Sequence, residues 1–242
     1  MSHILIGLAV CASLLIYPGG LTLLCGAWLL SKGSSMAAAG WRRRTQVDKA
    51  IVPLALASLA VVPLPWPGNP ALALTAGGLS QVGVGGLGLT ALGLLGMELW
   101  LANGKRTSSP HTLLPVLTVL AILVLAEVVA APDWASLLAA TGTGAEAGRV
   151  GVGVACLLAF PWASGDPAGS RLAVACAAAT RFAVAAFLIF PQVARTPVWL
   201  GLGVWLAACL AFGALWGVAR RFELGRPAKP GLPGSADRLR LP

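Results

Sequence analysis

Residues 172–190 read LAVACAAATRFAVAAFLIF, an apolar run of 19 positions whose one charge is Arg181. No period-two alternation runs through it, and its length matches the ~20 residues with which a helix crosses a ~30 Å hydrocarbon core. Similar runs recur along the chain, and composition explains why. Of 242 residues, 57% are hydrophobic and only 10% charged, with a mean hydropathy of +0.84. A water-soluble domain carries about 25% charged residues, so this chain cannot clothe a water-facing surface. A bilayer supplies the missing apolar environment. There every backbone polar group must be paired within its own segment or a closed barrel, and runs of this length select helices.

The pattern predicts an all-α, polytopic membrane helix bundle of about seven transmembrane helices, with the N-terminus outside and the C-terminus inside. The first span lies within Ile4–Leu30 and is broken at Pro18-Gly19-Gly20, where proline removes a backbone donor and the glycines loosen the turn. Met1-Ser2-His3 enters it without Lys or Arg, unlike the basic start of a secretory signal, so the run reads as a retained span. Further spans are expected at Ala50–Val62, Val82–Leu101, His111–Ala131, Val150–Trp162 (a short one), Leu172–Phe190 and Val198–Val218. Pro63, Pro65, Pro67 and Pro70 suit an extended outer loop. Arg220 and Arg221 are expected to stop the last helix, dividing the chain into a bundle, 1–221, and a basic Pro/Gly-rich tail, 222–242.

Charge sets the direction. In this layout the cytoplasmic segments hold 14 of the 17 Lys and Arg, the outer loops only Arg149 and Arg195, and a span holds Arg181. The opposite topology would invert that bias, against the positive-inside rule. Trp41, Trp66, Trp100, Trp134, Trp162 and Trp199 fall near alternate interfaces, where indole prefers to sit. The same rule accounts for the net charge of +9 without a nucleic-acid partner. The expected location is a bacterial-type inner membrane.

Motifs that carry chemistry are few. Gly83-Val84-Gly85-Gly86-Leu87-Gly88 matches GxGxxG literally but lies within an apolar run with Gly93 and Gly96 beyond it. A dinucleotide fingerprint needs a preceding strand, whereas glycines at such spacings let membrane helices approach closely. The five cysteines lie in apolar runs with no CxxC pair, so they read as small hydrophobes with no disulfide or metal role. His3 and His111 sit at opposite faces, which argues against a bis-histidine haem. No Ser/His/Asp set, HExxH or P-loop appears, and the chain is not expected to be an enzyme on its own.

Charge inside a bilayer is costly and is normally buried against a partner. Glu127, in the outer part of the fourth span, and Arg181 differ in depth by roughly 7 Å at 1.5 Å per residue, within a snorkelling arginine's reach. They read as an ion pair fixing two helices, as a proton- or quinone-linked site, or as groups reaching a neighbouring subunit. Glu98, Lys105, Arg106 and His111 gather at the cytoplasmic turn between the third and fourth spans. Of these, Glu98, Lys105 and Arg106, together with Arg42, Arg43, Arg44, Asp48 and Lys49, form a candidate docking face.

Two of these stretches carry a resemblance. Trp41–Lys49, with Asp48 and Lys49, runs into Ile51-Val52-Pro53-Leu54, and Gly96-Met97-Glu98-Leu99-Trp100-Leu101-Ala102-Asn103-Gly104-Lys105 ends the third span. Over about residues 1–130 this order is similar to the membrane-anchor subunit of NADH:quinone oxidoreductase (complex I subunit 1) and its counterpart in membrane-bound energy-converting hydrogenases. The family's acid-rich cytoplasmic loop has only Asp166 as a counterpart here. The resemblance implies anchoring of a redox module among other membrane subunits; quinone or lipid is the candidate ligand, and the residues themselves point to no cofactor bound by this chain. The alternative is a small permease with its site at the broken first helix, since broken helices beside polar groups make substrate sites.

Overall fold

The computed structural model describes residues 2–33, 48–70, 85–103, 113–131, 133–159 and 171–224, and among these the chain is helical with no strand. Nine α-helices follow in order: α1 Ser2–Leu15, α2 Gly20–Gly33, α3 Asp48–Val61, α4 Gly86–Asn103, α5 Leu113–Val128, α6 Trp134–Ala139, α7 Thr143–Leu158, α8 Arg171–Ile189 and α9 Val198–Leu224. A 3-10 turn, Pro191–Arg195, joins α8 to α9.

Helix α8 is the opening stretch of the sequence, and the fold is arranged around it. Its apolar window is 78% buried, against 28% for His3–Leu30 and 22% for Val198–Leu215. Ala173, Ala175, Ala177, Ala178, Ala179, Ala183 and Ala185 are all buried. Small side chains let neighbouring backbones come close, which is how helices associate where lipid removes the hydrophobic drive between them. Helix α8 packs on α7, α2 and α3, and more lightly on α4, while α9 packs mainly on α2 and α5 sits between α4 and α7.

Glycines set two of these interfaces. A Cβ on Gly93 of α4 would lie 2.7 Å from both the Ala60 nitrogen and the Leu56 carbonyl of α3, so only hydrogen fits between the two backbones. A Cβ on Gly26 of α2 would stand 2.3 Å from the Trp205 ring of α9. The expectation that Gly93 and Gly96 serve close packing holds: Gly96 likewise faces Leu56. Gly83 and Val84, which open the GxGxxG match, lie outside the described residues.

Among the described residues three helical stretches are long and apolar enough to cross a membrane, namely His3–Leu30, Leu172–Ile189 and Val198–Leu215; Ile51–Val61, Gly86–Leu101 and Val116–Val128 are shorter apolar helices. The exterior agrees with a membrane protein. Ile4, Leu8, Leu117, Val124, Val128, Trp199, Val204 and Leu215 are each more than half exposed, a spread of apolar surface that a soluble monomer does not show.

Several boundaries differ from the sequence reading. Arg220 and Arg221 do not end the last helix, which continues to Leu224. Cations in a final helical turn suit the negative end of the helix dipole, so they do not stop the backbone. Helix α7 begins at Thr143, seven residues ahead of the expected short span, and ends at Leu158. Two elements form where a plain outer loop was expected. One is α6, capped by the Asp133 carboxylate accepting the Ser136 N–H at 2.7 Å. The other is the 3-10 turn, started by Pro191.

The break in the first run is real, with non-helical backbone at residues 16–19 between α1 and α2. It is packed against the proline loop. The Tyr17 hydroxyl donates to the Pro67 carbonyl at 2.8 Å, the Ser13 hydroxyl donates to Asn69 Oδ1 at 3.0 Å, and the Asn69 amide donates to the Val62 carbonyl at 2.7 Å. Behind these, Trp66 is the hub of an aromatic cluster, meeting Phe187 edge-on at 5.1 Å and Trp205 at 5.5 Å. The cluster ties the loop to α8 and α9.

Candidate functional site

Arg181 sits at the middle of the most buried helix, and three helices converge on it. Its side chain is 4% exposed. One terminal nitrogen, Nη2, forms an ion pair with Oε1 of Glu98 on α4, and Glu98 is itself 13% exposed. The other, Nη1, donates to the carbonyl of Ala159, the residue that caps the C-terminal end of α7.

The chain builds this arrangement locally. Helix α7 is short, and Gly153 lies against Ala185, Leu188 and Ile189 of α8. From there the two antiparallel helices bring the last turn of α7 level with Arg181. The terminal carbonyls of a helix lack intrahelical partners and carry about half a negative charge. The guanidinium thus meets a full negative charge from Glu98 and a partial one from the end of α7. Beside it, Thr180 turns inward and donates back to the Cys176 carbonyl at 2.9 Å, so its hydroxyl needs no outside partner.

One sequence reading paired Arg181 with Glu127, whereas in the structure Arg181 pairs with Glu98. Glu127 is exposed on α5, whose neighbours are α4 and α7, whereas α8 reaches α4. Glu98, assigned to a cytoplasmic docking face, is the buried partner. The signal was present: Glu98 falls inside the expected third span, Val82–Leu101, and so was an intramembrane charge in its own right. At 1.5 Å per residue Glu98 is offset from Arg181 by roughly 9 Å, against roughly 7 Å for Glu127, so depth did not single it out; helix adjacency decided it.

Pro18, Gly19 and Gly20 are all buried, and the neighbouring Ser13 and Tyr17 hydroxyls are bonded to the proline loop. The break is filled by the protein itself. Asp48 and Lys49 open α3. Arg42, Arg43, Arg44, Lys105, Arg106 and His111 lie outside the described residues.

The far end of α4 has its own polar lock. The Trp134 indole donates to the Thr90 hydroxyl at 3.0 Å, and that hydroxyl donates to the Ala60 carbonyl at 2.9 Å. Arg149, 7% exposed, donates to the Leu138 carbonyl at 2.6 Å and so ties α7 to α6. Two cavities lie nearby. One, about 360 Å³, is lined by Pro65, Leu138, Gln192 and Arg195 among others. The other, about 150 Å³, is a wholly apolar cleft between α8 and α9. Among the described residues no group of three or more His, Cys, Asp or Glu could hold a metal ion. Cys156, Cys176 and Cys209 are buried and free, in keeping with a packing role. No protein-family model, curated protein or solved structure matches this chain.

Proposed function

We propose that this chain is a non-catalytic integral membrane subunit of a larger respiratory or energy-converting redox complex, spanning an inner membrane seven times with its N-terminus outside. The observation that carries the reading is the Glu98–Arg181–Ala159 junction. Among the described residues it consumes the most deeply buried charge internally, and it fastens three helices. That suits a scaffold better than a carrier, in which intramembrane charges line a path. The weight of basic residues in the expected cytoplasmic segments and the resemblance over residues 1–130 supply the partner: a cytoplasmic redox module with neighbouring membrane subunits. Any proton- or quinone-linked step in this chain would centre on Glu98 and Arg181, with Glu127 outside it.

The test is solubilisation from the native membrane in a mild detergent, followed by sizing and identification of whatever migrates with the chain. Iron–sulfur or hydrogenase-like proteins are expected in the same peak. A homogeneous species of this chain alone would sink the proposal.

A further inference from the structure

Helices α8 and α9 are consecutive, yet they scarcely touch, because α9 docks on α2. The space left between them is the apolar cleft of about 150 Å³, with walls that include Phe182, Ala186, Val204 and Ala208. No polar atom borders it. At its end stands the 3-10 turn, and a 3-10 turn places residues i and i+3 on one face. Phe190 and Val193 accordingly face the cleft, while Gln192 and Arg195 share a second face and line the 360 Å³ cavity. One short turn therefore separates an apolar slot from a cationic, hydrogen-bonding wall.

The charge on that wall is uncompensated: among the described residues Arg195 meets no carboxylate, and it is exposed. Asp133, on the short helix across the cavity, is already engaged in capping Ser136. Trp199, 73% exposed in the first turn of α9, sets this level at the membrane–water boundary, where exposed indoles collect.

We propose that the cleft seats the headgroup-proximal segment of one acyl chain of an anionic glycerophospholipid, with the phosphate on the far side of the turn against Arg195 and Gln192. The long axis of such a lipid matches the order found here, hydrocarbon below the turn and anion acceptor above it. The proposal rests on the membrane-spanning reading and is independent of whether the chain belongs to a redox complex.

The experiment begins with an alkaline carbonate wash of the membranes, then native mass spectrometry of the purified full chain with phosphatidylglycerol or phosphatidylcholine added. The wild type should stay in the washed membranes and retain phosphatidylglycerol in preference. Arg195→Gln, an exposed change that leaves packing alone, should cut phosphatidylglycerol retention about fivefold without affecting phosphatidylcholine. Ala208→Phe, which fills the cleft, should lower retention of both lipids. Release of the chain by carbonate would refute the membrane reading and this site together. Retention in the membrane with no preference between the lipids, an isoprenoid quinone held in their place, or an unchanged Arg195→Gln variant would overturn the lipid site alone.

Discussion

At the scale of single residues, the buried pair dominates. Removing one member of a buried ion pair strands the other, at a cost of about 3–5 kcal/mol, whereas replacing both by apolar groups of similar size is often neutral. Arg181→Met should therefore lower the midpoint of thermal unfolding in detergent sharply, by several degrees. Combining it with Glu98→Leu should recover most of that loss, and a double variant no better than Arg181→Met would show that the two side chains are not coupled. Glu127→Gln, on an exposed site, should stay within about 0.5 kcal/mol of the wild type. Arg181 itself was legible in the sequence, because a charge at the centre of an apolar run announces a buried partner. Its partner was not, since the depth argument pointed to Glu127 and only the packing of α8 on α4 brings Glu98 to Arg181. The Ala159 carbonyl was out of reach for another reason: it becomes an acceptor only because α7 ends there.

At the scale of elements, the existence of the long apolar helices was readable, whereas helix ends and the short α6 were not. The runs that became α8 and α9 began where apolar periodicity placed them, yet α9 ran past Arg220 and Arg221 to Leu224, because cations suit the end of a helix and do not stop its backbone. The close approach of α3 and α4 gives the sharpest test at this scale. Gly93→Val puts three carbon atoms where the Ala60 and Leu56 backbones leave none. It should destabilise the fold by about 1–3 kcal/mol, read as a lower unfolding midpoint. Gly203→Ala, on α9, where an added Cβ meets nothing within 4 Å, serves as the control and should be neutral or slightly stabilising. Glycine spacing flagged the α4 interface from sequence alone, whereas the docking of Trp205 over Gly26 depends on α2 and α9 meeting from opposite ends of the chain.

At the scale of the whole molecule, the positive-inside bias gives a direction that fusions can check. A fluorescent protein that matures only in the cytoplasm, fused after Pro242, should fluoresce; alkaline phosphatase inserted at Gly68, in the proline loop, should be active. A dark C-terminal fusion with an inactive loop insertion would reverse the orientation. The junction at Arg181 also has a consequence for the order of events in synthesis. In the proposed topology α4 leaves the ribosome long before α8, so Glu98 would enter the membrane as an acid without its cation. Helix α8 in turn carries an arginine that costs roughly 2.5–3.5 kcal/mol at the centre of an inserting segment. Each helix is a poor tenant of lipid until the other arrives. A nascent chain halted before residue 171 would hold an unanswered acid in its third apolar run, a feature by which a membrane protease could tell an unfinished copy from a finished one.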